Sequence, residues 1–286
     1  MSARYEVLER PDLDSPVMIV ALDGWIDAGL GAAAALEALL TQSETVTVAE
    51  FDTDALLDHR ARRPTMILDD GVNTELVWPS LELRAAADLD GNDVLLLVGA
   101  EPDHQWRAFT GDVVDLALDY GARMVVGLGA YPAGVAHTRP INVVATATDA
   151  DLAQQVGFIR GRIQVPSGVG AAIERRCAEV GLPAVGLWAQ VPHYASTMPF
   201  PAAGASLLEA LHRVAGIRFD LAQLAEDGQR SIRRLDALVA DNPDARRLVE
   251  QLEAEPDQPT EPGLGAIPSA DELLAEVERF LRDQGE

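Results

Sequence analysis

The sequence predicts an α/β protein with a mainly parallel sheet and helices on both faces of it. Apolar runs bounded by turn residues recur along the chain, and several are continuous rather than alternating, which is typical of strands buried on both faces. Helical segments lie between many of these runs, and that alternation favours a parallel sheet. The candidate strands are residues 17–22, 45–51, 65–70, 93–100, 122–130, 141–148 and 184–191, and the candidate helices are 30–41, 104–119 and 169–181.

Residues 65–87 depart from this pattern. Asp70-Gly71 separates two β-rich pieces, and Trp78-Pro79 precedes another. Asp-Gly between strand-like segments is a strong hairpin signal. We therefore expect an antiparallel hairpin or meander inserted into the sheet.

From about residue 203 the sequence predicts helices only. Prolines and glycines then concentrate in residues 255–268, which is typical of an extended linker. The last segment, 269–286, opens with a Ser-x-x-Glu capping box and carries one apolar face, so it must dock on its own domain or on a neighbouring subunit. The predicted organisation is an α/β domain over 1–217, a helical extension over 218–254, the linker over 255–268 and a C-terminal amphipathic helix over 269–286.

The charge balance excludes several classes of partner and reaction. The chain has 46 acidic and 22 basic residues, a formal net charge of -24, and every basic residue is arginine. Such a charge repels nucleic acids and anionic membranes, so we expect neither as a partner. Without lysine, the chain can form no Schiff base and has no phosphate-loop lysine.

The sequence also predicts no metal and no cofactor. Cys177 is the only cysteine, which excludes an intrachain disulfide and a cysteine-based zinc site, and its helical spacing with Ile173 and Val180 favours a buried core thiol over a nucleophile. No HExxH, GxSxG or DxDxDG pattern occurs. The apolar runs are too short to span a bilayer and the charged N-terminus does not resemble a signal peptide, so we expect a cytoplasmic protein.

The turn LDGWIDAG, residues 22–29, is the first candidate site. Gly24 and Gly29 have the spacing of a phosphate loop, but the lysine and hydroxyl that should follow are absent, and Asp23 and Asp27 would repel phosphate. Asp27 is predicted to be the N-cap of a helix over 28–41, with its carboxylate favoured by the helix dipole. Two interpretations stay open for Asp23, Trp25 and Asp27: a structural turn, or a surface for a ligand or partner.

Three further loops at predicted strand ends carry polar side chains. In such folds, sites lie beyond the carboxyl ends of the strands, so these side chains could meet in one cleft and perform acid–base chemistry or bind an anion. The alternative is structural: Asp103 would cap the next helix, and prolines would only shape the second loop. The candidates are Glu101, His104 and Arg107 in the first loop, Tyr131, His137 and Arg139 in the second, and His193 and Tyr194 in the third.

Three stretches together resemble the PAC2 family, which is named after a proteasome assembly chaperone: LDGWIDAG (22–29), GAYPAGVAHTRPINVVATATD (129–149) and LWAQVPHYAS (187–196). The resemblance implies a three-layer αβα fold, similar to nucleoside phosphorylases and peptidyl hydrolases, and an oligomer. Members of the chaperone branch assemble proteasome α-rings, some by a C-terminal hydrophobic-Tyr-any tripeptide. The present sequence ends in Gly285-Glu286, which counts against docking by that mode.

Two functions therefore stay open. The first is a non-enzymatic homo-oligomer, with a trimer favoured, that acts as an assembly factor and has proteasome subunits as candidate partners. The second is a small-molecule enzyme, with phosphorylase-like, hydrolase-like or carboxylate–amine ligase-like activity. The two differ in geometry, because an enzyme requires the candidate side chains to converge in one roomy cleft.

Overall fold

The computed structural model describes residues 4–24 and 26–254, which form strands and helices in alternation. The strands are β1 (Tyr5–Val7), β2 (Val17–Asp23), β3 (Val46–Phe51), β4 (Thr65–Asp69), β5 (Val72–Val77), β6 (Leu81–Ala87), β7 (Asp93–Ala100), β8 (Met124–Ala133), β9 (Val143–Ala147) and β10 (Ala184–Pro192). The helices are α1 (Gly31–Gln42), α2 (Thr53–Leu56), α3 (Trp106–Asp119), α4 (Ala150–Val156), α5 (Val169–Val180), α6 (Pro201–Ala215), α7 (Ala222–Ala240) and α8 (Pro243–Ala254).

The main sheet has the strand order β1-β3-β6-β7-β2-β8-β10-β9. Its centre is parallel, because β2 pairs in parallel with both β7 and β8, and β8 pairs in parallel with β10. Strands β1, β6 and β9 run in the opposite direction to the rest. The predicted α/β fold with a mainly parallel sheet is confirmed.

Helices cover both faces of the sheet, which gives three layers. Successive residues of a strand point to opposite faces, and in β2 Val17 and Ile19 belong to one buried cluster while Met18 and Val20 belong to the other. Helices α1, α6 and α7 pack on the first face, and α3 and α5 pack on the second. The continuous apolar runs of the sequence therefore reflect burial on both faces.

Strands β4 and β5 form a separate two-stranded sheet, and every residue of both strands is exposed. The turn residues Asp70 (φ 49°) and Gly71 (φ 84°) are both left-handed, as a tight hairpin requires. The predicted hairpin is confirmed, and part of the predicted segment, residues 65–87, is inserted antiparallel into the main sheet, but the two hairpin strands are not. Only β6 joins that sheet, antiparallel to β3 and β7, because its apolar residues face the core whereas those of β4 and β5 face solvent.

Between residues 201 and 254 the secondary structure is helical, as predicted from about residue 203 onwards. Leu224 and Leu235 of α7 are buried in the same cluster as α6, and the Asn242 side chain accepts hydrogen bonds from the first backbone N–H groups of α8. The predicted linker over 255–268 and amphipathic helix over 269–286 lie outside the described residues. Across the described ranges, no helix is long and apolar enough to cross a membrane.

Candidate functional site

The turn after β2 is shaped by Asp27, which binds the start of α1. Its Oδ1 accepts from the N–H of Ala32 (2.8 Å) and its Oδ2 from that of Ala33 (2.9 Å). The helix begins at Gly31 rather than at residue 28, because Gly29 (φ 64°) and Leu30 (φ 53°) are left-handed and interrupt it. Asp27 therefore makes the predicted capping contact, but with a helix that begins three residues later than predicted. Burial outweighs these hydrogen bonds and raises the pKa of Asp27.

The glycines of this turn allow close packing rather than phosphate binding. A Cβ on Gly29 would lie 2.7 Å from Cβ of Phe200, and one on Gly31 would lie 2.9 Å from Cβ of Ala203. The backbone of Gly29 also exchanges hydrogen bonds of 2.7 Å with Ser196 and Phe200. The turn thus fixes α1 against the chain that leads into α6, which supports its structural interpretation.

Asp23 is the last residue of β2 and Glu101 directly follows the neighbouring strand β7, but the two residues differ in exposure. The Asp23 residue is exposed, and its carbonyl oxygen accepts from the N–H of Glu101 (2.8 Å). Glu101 is only 9% exposed, and its Oε1 accepts from the N–H of Val169 (2.6 Å), the first residue of α5. Trp25 lies outside the described residues. Glu101 is therefore a buried carboxylate at a helix N-terminus, where negative charge is favoured.

Glu101 lines a cavity of about 80 Å³ between the sheet and α5. Glu174 and Trp188 line it too, and Thr146 connects them: its hydroxyl donates to Oε2 of Glu174 (2.7 Å) and lies 3.3 Å from Nε1 of Trp188. Burial raises the pKa of Glu174. A cavity of this size accommodates a few water molecules, whereas pockets for metabolites have volumes of about 300–1,000 Å³.

Sequence reasoning missed Glu174 and Trp188. The available signal was an acidic residue beside Ile173 on a helix whose buried face also includes Cys177. Cys177 itself is buried, as predicted, and burial raises the pKa of its thiol to about 12.

His137 and Tyr194 come together at a second place, under α7. The His137 side chain is almost fully buried, with Nδ1 2.7 Å from the Tyr194 hydroxyl and Nε2 3.1 Å from Oδ1 of Asp236. The backbone N–H of His137 also donates to the Tyr194 hydroxyl (2.8 Å). Two of the predicted loops therefore meet here, and α7 supplies an acidic partner that sequence reasoning did not identify.

The loop at 134–139 is also attached to α8. The Thr138 hydroxyl donates to a Glu253 carboxylate oxygen, and Arg139 donates to the Glu253 carbonyl oxygen. Tyr131 is separate from this group, because its hydroxyl accepts from the side-chain amide of Gln190 (2.8 Å). The predicted anion site of Tyr131, His137 and Arg139 therefore does not form as a unit. His137 instead contacts the Asp236 carboxylate of α7, and Arg139 contacts the Glu253 backbone of α8.

The remaining candidates are on the surface. His104, Arg107 and His193 are exposed, and His193 contacts the ring of Tyr194 edge to face. Asp103 does not cap α3, contrary to one of the two interpretations of its loop. Its Oδ2 instead accepts from the N–H of Asp58 (2.8 Å), and a left-handed Gln105 precedes the helix.

The candidate side chains therefore occupy several places rather than one cleft. Glu101 lies on the α5 face, Asp27 at the start of α1, and His137 with Tyr194 beneath α7 on the other face. Within residues 4–24 and 26–254, no group of three potential metal ligands occurs. This distribution is typical of side chains that stabilise loops and helix ends.

Comparison with known proteins finds a matching family and similar solved structures. The PAC2 family model matches residues 21–239. A solved structure of a protein of unknown function from Mycobacterium tuberculosis is 35% identical, with a TM-score of 0.82, over 87% of this chain and 89% of that chain. Another, from Corynebacterium glutamicum, is 30% identical, with a TM-score of 0.82, over 87% of this chain and 95% of that chain.

A third solved structure is a proteasome-assembly chaperone homologue from Mycobacterium tuberculosis. It is 32% identical, with a TM-score of 0.75, over 82% of this chain and 99% of that chain. The curated proteins include no match. Because the family model spans most of the sequence, including all three stretches that resemble it, this chain belongs to the PAC2 family.

Proposed function

We propose that this chain is a cytoplasmic, oligomeric, assembly-chaperone-like protein that works through its protein contacts. The observation that carries the proposal is the hairpin formed by β4 and β5, which projects from the main sheet with every residue exposed. Its exposed large apolar side chains, with the adjacent tryptophan, are Met66, Ile67, Leu68, Val72, Leu76, Val77 and Trp78.

Apolar side chains concentrated on one projecting element are typical of an interface rather than of a free surface. Apolar residues occur on both faces of the hairpin, as the pairs Met66–Leu76 and Thr65–Val77 fall on alternating sides. A partner that covers both faces must surround the hairpin. A second copy of the chain does this when each hairpin inserts into the next subunit.

Such a contact joins two different surfaces, so it closes into a ring when the rotation between copies allows it. A trimer is the smallest ring in which the hairpin of each copy enters the next copy without a reciprocal exchange between two copies, and we propose it as the state of this chain. Proteasome subunits are the proposed client, because a relative 32% identical over 82% of this chain is a proteasome-assembly chaperone homologue.

The hairpin is tested by introducing charge without breaking its own pairing. Met66 and Leu76 are directly opposed, so Met66→Arg with Leu76→Glu places opposite charges across the strands. We expect this variant to be monomeric in light scattering at a concentration where the unchanged protein is a trimer. The matched control is Leu89→Glu with Leu238→Arg, since these side chains are each 52% exposed, as is Met66, but lie elsewhere.

Light scattering of these two variants decides whether the hairpin belongs to the interface. A variant that stays trimeric, or a control that dissociates equally, would remove the hairpin from the interface. The client is tested separately by pull-down from native extract with the unchanged protein, where recovery of proteasome α-subunits supports the assembly role and recovery of the bait alone contradicts it.

The alternative enzymatic function has weaker support. It rests on Glu101 and Glu174 in one cavity of about 80 Å³, and on a raised pKa for Glu174. The separation of the other candidate side chains and the small volume favour the interaction role.

A further inference from the structure

A groove of about 610 Å³ lies between α3 and α5, on the face of the sheet opposite α1 and α6. Three small residues line it between the two helices, Thr110 and Gly111 of α3 and Ala172 of α5, which we call its floor, and Trp106 of α3 lines it as well. An added Cβ at Gly111 would meet no atom within 4 Å, so the space above the floor is open. The groove is large enough for the side chains of a docked helix, unlike the small cavity beside it.

Both walls of the groove carry arginine. Arg107 of α3 stands on one side, and Arg175 and Arg176 of α5 stand on the other. Arg175 and Arg176 share one carboxylate, Glu179, at 3.8 and 3.2 Å, and among the described residues none forms an ion pair with Arg107. In a chain with a formal charge of -24, this concentration of positive charge favours an acidic occupant.

We propose that the groove receives the chain's own C-terminal segment, residues 269–286, as a third helix. The segment contains six acidic residues and two arginines. On a helix of 3.6 residues per turn, Glu276 and Glu278 flank opposite sides of one apolar stripe. The stripe consists of Leu273, Leu274, Val277, Phe280 and Leu281. Carboxylates on both flanks therefore match arginines on both walls, with the apolar stripe over the small floor residues.

Beyond the arginines, α3 and α5 each carry an exposed apolar side chain that suits the apolar stripe of the C-terminal segment. Leu118 is seven residues after Gly111, and Val180 is four residues after Arg176, so helical spacing places both in line with the groove. Leu118 is 47% exposed and Val180 is 37% exposed. A docked amphipathic helix would cover them.

The chain is long enough to reach the groove. Helix α8 ends beside the loop that follows β8, where Glu253 contacts Thr138 and Arg139. The groove begins at Arg107, shortly after β7, which is parallel to β2 and β8, so both points lie at the same edge of the sheet. Residues 255–268 can extend to about 46 Å, whereas crossing from one helix layer to the other requires about 20 Å.

The test is cross-linking within the full chain. Gly111→Cys places a thiol in the groove floor without a clash, and Val277→Cys places one on the apolar stripe, while the native Cys177 is buried. We expect a short bismaleimide to join them at least tenfold faster than it joins Val277→Cys to Glu209→Cys. Glu209 is exposed on α6, on the opposite face, and controls for the local concentration that the tether imposes.

A second arm tests the charge complementarity. Arg107→Glu with Arg175→Glu should slow cross-linking about tenfold, which corresponds to about 1.4 kcal/mol, and adding Glu276→Arg with Glu278→Arg should restore it. Equal rates for groove and control pairs would overturn the proposal. A product that joins two chains would assign the groove to the C-terminal segment of a neighbouring chain instead. If Arg107→Glu with Arg175→Glu leaves the cross-linking rate unchanged, the proposal loses its electrostatic basis.

Discussion

Gly29→Ala should destabilise this protein much more than Gly121→Ala, although both changes add one methyl group to a left-handed glycine. The φ angles are 64° at Gly29 and 67° at Gly121, so the conformational cost of a side chain, about 1 kcal/mol, is common to both. The difference lies in the surroundings. A Cβ at Gly121 meets nothing within 4 Å, whereas one at Gly29 lies 2.7 Å from Cβ of Phe200 and 3.2 Å from Cγ1 of Val191.

Neither neighbour of Gly29 can move aside. Phe200 and Val191 are both fully buried, and backbone hydrogen bonds hold Gly29 to Ser196 and Phe200. Overpacking of this kind costs about 1–3 kcal/mol, so we expect a total loss of about 3 kcal/mol for Gly29→Ala against about 1 kcal/mol for Gly121→Ala. For a chain of this size that corresponds to a fall in Tm of about 9 °C against about 3 °C.

The assay is thermal unfolding followed by circular dichroism, at one fixed protein concentration because oligomers gain stability with concentration. If the Tm falls equally in both variants, the turn does not fix α1 against the chain leading into α6, and the structural interpretation of LDGWIDAG is wrong.

Two further predictions follow from buried titratable groups. Burial raises the pKa of Glu174 above its ordinary 4.5, so the folded state holds this proton more tightly, and the stability gained from it is lost as pH rises through the raised pKa. Glu174→Gln should therefore match the unchanged protein below about pH 4.5 and exceed its Tm at pH 7, and a Tm gain that does not change with pH would contradict this. Burial also raises the pKa of Cys177 to about 12, so the thiol should resist maleimide at pH 8 until urea unfolds the chain, and rapid labelling of the native protein would show that the thiol is accessible.

The sequence predicted the fold well, because its signals were local or periodic. Continuous apolar runs predicted strands buried on both faces, and Asp70-Gly71 predicted the hairpin turn. The contact of Asp27 with the start of α1 was also predictable, since a cap and its helix are neighbours in sequence. The beginning of that helix was predicted too early, because Gly29 and Leu30 are left-handed and interrupt it. Leucine rarely adopts this conformation, so the residue types did not indicate the interruption.

The candidate sites were predicted less well, because their partners are distant in sequence. His137 contacts Asp236, 99 residues away, and Glu101 contacts Val169, 68 residues away. Position at a strand end identified which loops would carry polar side chains, but could not show which of those loops would meet.

The sequence alone determined the alternation of strands and helices, the acidic charge, the absence of lysine and the resemblance to the PAC2 family. Only the tertiary structure decided that β4 and β5 project from the main sheet, that the candidate side chains separate, and that arginines of α3 and α5 face one another across a groove. The physical reason is that hydrophobic periodicity reports which side of an element avoids water, whereas the identity of the surface it meets depends on how the layers pack.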